Sequence, residues 1–170
     1  MSILVPDTSA LVSLGVVADG PPDPLSMCLD RYEVIVPTIV VDELQEIAAY
    51  EDAHGHAADR VDDRIDSVTT RSVSLDETFP LDAGENAAVT LANETDADML
   101  LCDEFTRIGI LHASLADTRL ITTPTLLSVL VRTDSMSPED ARTLLAEISD
   151  TRDWDGNSYV QRARSLLTDK

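Results

Sequence analysis

Four acidic positions stand out by where they fall in the chain: Asp7, Glu43, Glu85 and Asp103. Asp7 follows the apolar run Ile3-Leu4-Val5 and Pro6. Asp103, with Glu104 beside it, follows Met99-Leu100-Leu101-Cys102. Each run reads as a strand buried on both faces, so each carboxylate sits at a strand's carboxyl end, where open α/β sheets bind ligands. Glu43 falls in the first turns of the helix after Val34-Ile35-Val36, and Glu85 opens a helix after Gly84. Carboxylates that converge repel each other unless a cation lies between them, and all-oxygen donors suit Mg²⁺ or Mn²⁺. Such ions activate water and stabilise the leaving oxygen of a phosphodiester. A competing reading makes Asp7 a helix cap or turn residue. The chain holds 32 acids, so coincidences are certain and most are read as solvated surface.

The elements that must carry these residues alternate. Ile3–Val5 is a strand whose ladder Pro6 should end for want of an N–H. Thr8 and Ser9 can cap the helix that follows. Gly20-Pro21-Pro22 marks a loop, and 24–31 reads as a short helix. After the second strand and Pro37, Thr38 caps a helix to about Tyr50, with Ile39, Val40, Leu44, Ile47 and Ala48 at helical spacing. The acidic stretch 51–66 breaks at His54-Gly55-His56, and a solvated helix is expected from about Ala57 to Asp66. Val68–Leu75 alternates weakly as a short strand. A helix runs from Glu85 to about Glu94, a third buried strand over 99–102, a helix over 106–113, and a fourth strand at Leu120-Ile121-Thr122 before a helix from Pro124. Strands alternating with helices predict a parallel sheet with helices on both faces. From Ser137 the strand signals stop. Ser137-Pro138-Glu139-Asp140 starts a helix with apolar Leu144, Leu145 and Ile148, and a last helix covers about Asn157 to Leu167.

With 170 residues the chain is long enough for one domain with a proper core. No apolar run spans a bilayer and no signal-peptide pattern opens the chain, so the cytoplasm is the expected compartment. Cys28 and Cys102 lie far apart; Cys102 reads as a buried, inert thiol, and no disulfide framework is implied. The formal net charge is −20, and of 12 basic residues only Lys170 is a lysine. At molar salt the Debye length falls to about 3 Å. Abundant acid with almost no lysine is expected of a halophilic protein, so the charge is read as adaptation to solvent.

The motifs also resemble a family. VPDTSALVSL looks like the first motif of PIN-domain proteins, and PTIVVDELQE like the second, with Glu43 at its acidic position. LDAGENAAVTLANETDADMLLCDEFTRIG is similar to the third and fourth motifs of the subgroup with a Gly-Glu pair. Glu104 stands where most members of that subgroup have a second Asp. The likeness runs through TPTLLSVLV to about residue 135, and more loosely beyond. It implies a three-layer α/β/α PIN-like fold with a central parallel sheet. Residues 1–135 would form the nuclease domain and 136–170 a C-terminal helical extension packed on the domain or on a partner. It further implies a metal-dependent ribonuclease, often the toxin of a VapBC-type toxin–antitoxin pair. Asp7, Glu43, Glu85 and Asp103 would hold Mg²⁺ or Mn²⁺, with Glu104 as a further candidate ligand, and metal-activated water would attack the RNA. Thr8 or Ser9 would contact a metal water or phosphate; plain capping is the alternative. Implied partners are RNA, a small antitoxin and a second copy in a homodimer.

Arg107 could reach phosphate, or pair with nearby acids. His54 and His56 read as loop residues, His112 has no partner in the sequence, and Trp154 and Tyr159 read as packing. A PIN fold acting as a binding or regulatory subunit is the alternative function. A haloacid-dehalogenase-type phosphatase would want a second Asp where Ser9 stands. A signalling receiver would want a strand-end Lys, and the only Lys is terminal.

Overall fold

β1 (Ile3–Pro6) lies at the centre of a five-stranded, all-parallel sheet of order β3-β2-β1-β4-β5 in the computed structural model, which describes residues 1–168. The other strands and α-helices are α1 (Thr8–Val16), α2 (Pro24–Arg31), β2 (Glu33–Pro37), α3 (Thr38–Ala48), α4 (Ala53–Asp62), β3 (Thr69–Arg71), α5 (Ala83–Thr95), β4 (Met99–Leu101), α6 (Ile108–Ser114), β5 (Arg119–Ile121), α7 (Thr123–Arg132), α8 (Pro138–Arg152) and α9 (Ser158–Thr168), with short 3-10 helices at Ile65–Ser67 and Phe105–Arg107. Residues 169–170, the end of the expected C-terminal extension, lie outside the described residues.

Alternate residues of each strand face opposite layers. Leu4, Val34, Val36, Leu101 and Ile121 join a core with α1 to α4 and α7 to α9, whereas Val5, Ile35 and Leu100 pack against α5 and α6. This is the expected three-layer α/β/α arrangement. α8 and α9 contribute Ala141, Leu145, Ile148, Val160 and Leu167 to the first of these cores, and Trp154 in the connection between them joins it. α1 and α4 cross closely at Gly15, where a Cβ would lie 2.2 Å from the Ala57 carbonyl oxygen.

The strand order places a switch between β1 and β4: the chain builds outward through β2 and β3, then returns to pair β4 with β1. The crevice at the carboxyl ends of these two strands is where such sheets bind ligands.

Several local expectations change. The β1–β4 ladder runs past Pro6, because the Asp7 N–H donates to the Leu101 carbonyl at 2.9 Å. Successive N–H groups alternate sides, so the proline lacks only a donor toward β2, where pairing stops at Leu4–Val34. α3 begins at Thr38 with Pro37 at its cap and no side-chain cap hydrogen bond. α4 starts at Ala53, four residues before the expected Ala57. Asp52 caps it by accepting from Gly55 N–H at 2.7 Å, so His54-Gly55-His56 lies in its first turn and not at a break. The weak alternation after Val68 becomes the exposed edge strand β3.

Candidate active site

Asp7 does two things. As the cap of α1 its Oδ1 accepts from the Ala10 N–H at 2.9 Å and the Ser9 hydroxyl at 2.7 Å. Its Oδ2 accepts from the Cys102 thiol at 2.9 Å. It is nearly buried, 4% exposed, yet it also lines a cavity of about 230 Å³ at the crevice. The cap reading of its position is realised, and the same carboxylate also borders the cavity.

The rest of the cavity wall is acidic. Glu43, Asp82, Glu85 and Glu104 line it, with Thr8, Ser9 and Gly84 between them. α3 projects Glu43 over the start of α5. The Thr8 hydroxyl donates to Glu43 Oε2 at 3.3 Å. Glu43 Oε1 leans on Gly84, where a Cβ would lie only 2.1 Å from it. Glu85 sits in the capping box of α5: Asp82 accepts from the Glu85 N–H, and Glu85 Oε1 accepts from the Asp82 N–H. Arg107 pairs with the same Oε1 at 3.4 Å and donates to the Pro80 carbonyl.

Asp103 is placed differently. Its Oδ1 accepts from the Thr123 N–H at 2.7 Å and its Oδ2 from the Thr123 hydroxyl at 2.6 Å, at the start of α7. Its own N–H donates to Ser9 Oγ at 3.0 Å. Ser9 thus ties β1 to β4 by donating to one aspartate and accepting from the other. Asp103 stands behind the cavity, 5% exposed and not on its wall, while Glu104 fronts it.

These acids are reluctant to ionise together. Burial pushes Asp7 up to about 6, with the Asp103 charge adding to it. Burial, and then the neighbouring Asp82, push Glu85 up to about 7. Burial also raises Glu43 and Asp103, the latter against two hydrogen bonds from Thr123 that pull down. Two carboxylate oxygens, Glu43 Oε1 and Glu85 Oε2, are buried with no hydrogen-bond partner.

Orphaned, hard oxygen donors in a polar cavity fit a divalent cation, which would satisfy both orphans and offset the repulsion. Among the described residues no group of three or more His, Cys, Asp or Glu side chains is placed to hold a metal ion as the side chains stand. The fit is one of donor chemistry, carried by the two orphaned oxygens and the acidic wall.

Four contributors escape a reading by motif. Cys102 is buried as expected, but it also donates to Asp7. Thr123 clamps Asp103, and Asp82 is at once cap and cavity wall. The fourth is Arg152, the last residue of α8, whose side chain reaches the cavity. One signal for it was available: it lies four residues after Ile148, on the buried stripe of Ala141, Leu145 and Ile148, where a charge is out of place. Trp154 and Tyr159 do pack. The Phe105 ring meets Trp154 edge-on at 5.1 Å and stacks on Tyr159 at 5.7 Å, fastening the end of α8 beside Glu104.

A second cavity, of about 380 Å³ between α7 and α9, is lined by Val131, Leu166, Leu167 and other residues, none of them acidic. The carboxylate chemistry belongs to the first. No helix among the described residues is long and apolar enough to cross a membrane. A family model described as a PIN domain matches residues 3–169. No curated protein matches the chain.

Proposed function

The chain belongs to the PIN-domain family, whose activity is of the nuclease type, and on that footing we propose that it is a metal-dependent endoribonuclease. The observation that carries this reading is the pair of partnerless buried oxygens, Glu43 Oε1 and Glu85 Oε2, in the acidic cavity that Asp7 also lines. In this reading Asp7, Glu43 and Glu85 hold Mg²⁺ or Mn²⁺, Glu104 supplies a further oxygen at the wall, and Asp103, which the motifs also assign to the ion, adds its charge from behind the wall where Thr123 engages its oxygens. When bound, such an ion supplies Lewis-acid activation of water and charge stabilisation at the phosphodiester.

The chain's own residues prepare the site. Thr8 steadies Glu43, and Ser9 fixes the spacing of Asp7 and Asp103. Thr123 holds both oxygens of Asp103, and Arg107 holds Glu85. The hydroxyls expected to meet phosphate or water are thus engaged with carboxylates, as is the Arg107 guanidinium. Residues 136–170 form an extension to the nuclease domain in this reading, and α8 closes the cavity with Arg152. The four resembling motifs support assignment as the toxin of a VapBC-type pair, with a small antitoxin and a homodimer as partners.

The test is incubation of purified protein with single-stranded RNA in high salt. Cleavage should require Mn²⁺ or Mg²⁺, stop with EDTA, and fall by at least about 100-fold in Asp7→Asn, since that residue lies at the centre of the site. Equal cleavage by wild type and variant would identify a contaminant. No cleavage with any metal would favour the regulatory-subunit reading.

A further inference from the structure

We propose that Arg152 receives a phosphate oxygen of the RNA strand, which makes it a substrate-contacting residue; this rests on the nuclease reading above. Among the described residues Arg152 is the only cation that lines the acidic cavity. Its neighbours in charge are Asp103, Asp7 and Glu104. Yet among the described residues it forms no ion pair, and its Nε is buried with no acceptor. The other arginine nearby, Arg107, is already spent on Glu85 and Pro80. A buried donor without a partner is costly, and folds seldom retain one without a use for it.

The placement is deliberate in its geometry. α8 is capped by Ser137, starts at Pro138, and turns Ala141, Leu145 and Ile148 into the core, so Arg152 follows them inward. The helix then stops at Asp153, in the left-handed region at φ 59°, and Trp154 locks against Phe105 one residue after Glu104. The guanidinium is therefore held at the wall by backbone and aromatic packing, and the carboxylates supply field without consuming its donors.

A planar fork of N–H donors with no acceptor of its own matches phosphate. It also answers an electrostatic difficulty: a ring of acids repels a polyanion, and a fixed positive charge on one wall orients the strand toward it. Among the described basic residues, this is the one in that position.

The test uses Arg152→Gln and Arg152→Lys in the full chain, with two readouts. In RNA cleavage with Mn²⁺, Arg152→Gln should lose roughly 10- to 100-fold in kcat/KM, and Arg152→Lys, which keeps charge without the fork, should recover part of it. RNA binding free of turnover is read by anisotropy of a labelled single-stranded oligonucleotide on Asp7→Asn and on Asp7→Asn/Arg152→Gln; the double variant should bind more weakly. Unchanged kcat and KM in Arg152→Gln would overturn the proposal. So would a lowered melting temperature with RNA binding and turnover intact, which would make Arg152 a structural counter-ion. If wild type cleaves no RNA, the nuclease reading fails by itself, and the binding comparison still decides the role of Arg152.

Discussion

Replacing Gly84 by alanine should separate stability from function. Gly84 lies in the first turn of α5, with no left-handed backbone requirement, so alanine is compatible with its conformation. A Cβ there would meet Glu43 Oε1 at 2.1 Å and Glu43 Cδ at 2.8 Å. Ordinary contact begins near 3.4 Å, so the carboxylate must retreat by about 1.3 Å. The atom that yields is the tip of a flexible side chain, so the fold loses little. Alanine in a helix is worth up to about 1 kcal/mol over glycine. In a domain of this size that raises the melting temperature by roughly 2–4 °C at most. The displaced carboxylate, by contrast, should reduce divalent-metal affinity by about 10- to 100-fold, the loss typical when a ligand's support is removed. Thermal unfolding and Mn²⁺ titration calorimetry on the same preparations read the two effects. Gly84→Ala should unfold no lower than wild type and bind Mn²⁺ far more weakly. In a Glu43→Ala background the substitution should change Mn²⁺ binding no further, because the displaced group is gone. Undiminished Mn²⁺ binding in the single variant would refute the assignment of Glu43 as a ligand. A fall in melting temperature of more than about 10 °C, several kcal/mol, would refute the claim that the side chain and not the backbone gives way.

Two further outcomes are expected. Asp7 and Glu85 have folded-state pKa values raised to about 6 and about 7, from 3.8 and 4.5, so the folded chain binds more protons than the unfolded one between about pH 4 and 7. Metal-free stability contributed by these groups is therefore greatest below pH 4 and is lost as pH rises through 6 and 7; melting curves in EDTA should show Asp7→Asn gaining on wild type across that window, by as much as about 3 kcal/mol, and a constant difference would sink the argument. With a net charge of −20, the melting temperature should climb steeply with salt as self-repulsion is screened; an unchanged sharp transition in dilute buffer would remove the halophilic reading.

The parallel sheet was legible because buried strands such as Ile3–Val5 and Met99–Leu101 are short apolar runs with few competing interpretations. Asp7 was legible for the same reason: a carboxylate after such a run has a fixed place. The early start of α4 was not, since Gly55 and two histidines weigh against a helix, and only the Asp52 cap and the close approach to α1 at Gly15 outweigh them. Asp103 shows the limit at the site itself. Its position after β4 was readable, but the direction of its carboxylate depends on Thr123, 20 residues away. Arg152 lay outside every motif, and its approach to Asp7 depends on how α8 returns across the sheet. Periodicity locates an element; it does not say which end of another element it will meet.

The order in which the chain is made decides when the cavity is complete. The cavity takes Asp7 from the beginning of the chain, Glu43 and Glu85 from its first half, Glu104 from beyond the middle and Arg152 from near the end. The central strand β1 gains its second neighbour only when β4 exists, 95 residues later by the Cys102–Asp7 hydrogen bond. At a synthesis rate of about 5–20 residues per second, the pocket stays unfinished for most of the time the chain takes to emerge. The wall that Arg152 supplies is added only once α8 has been made, long after Asp7 and Glu43 have left the ribosome.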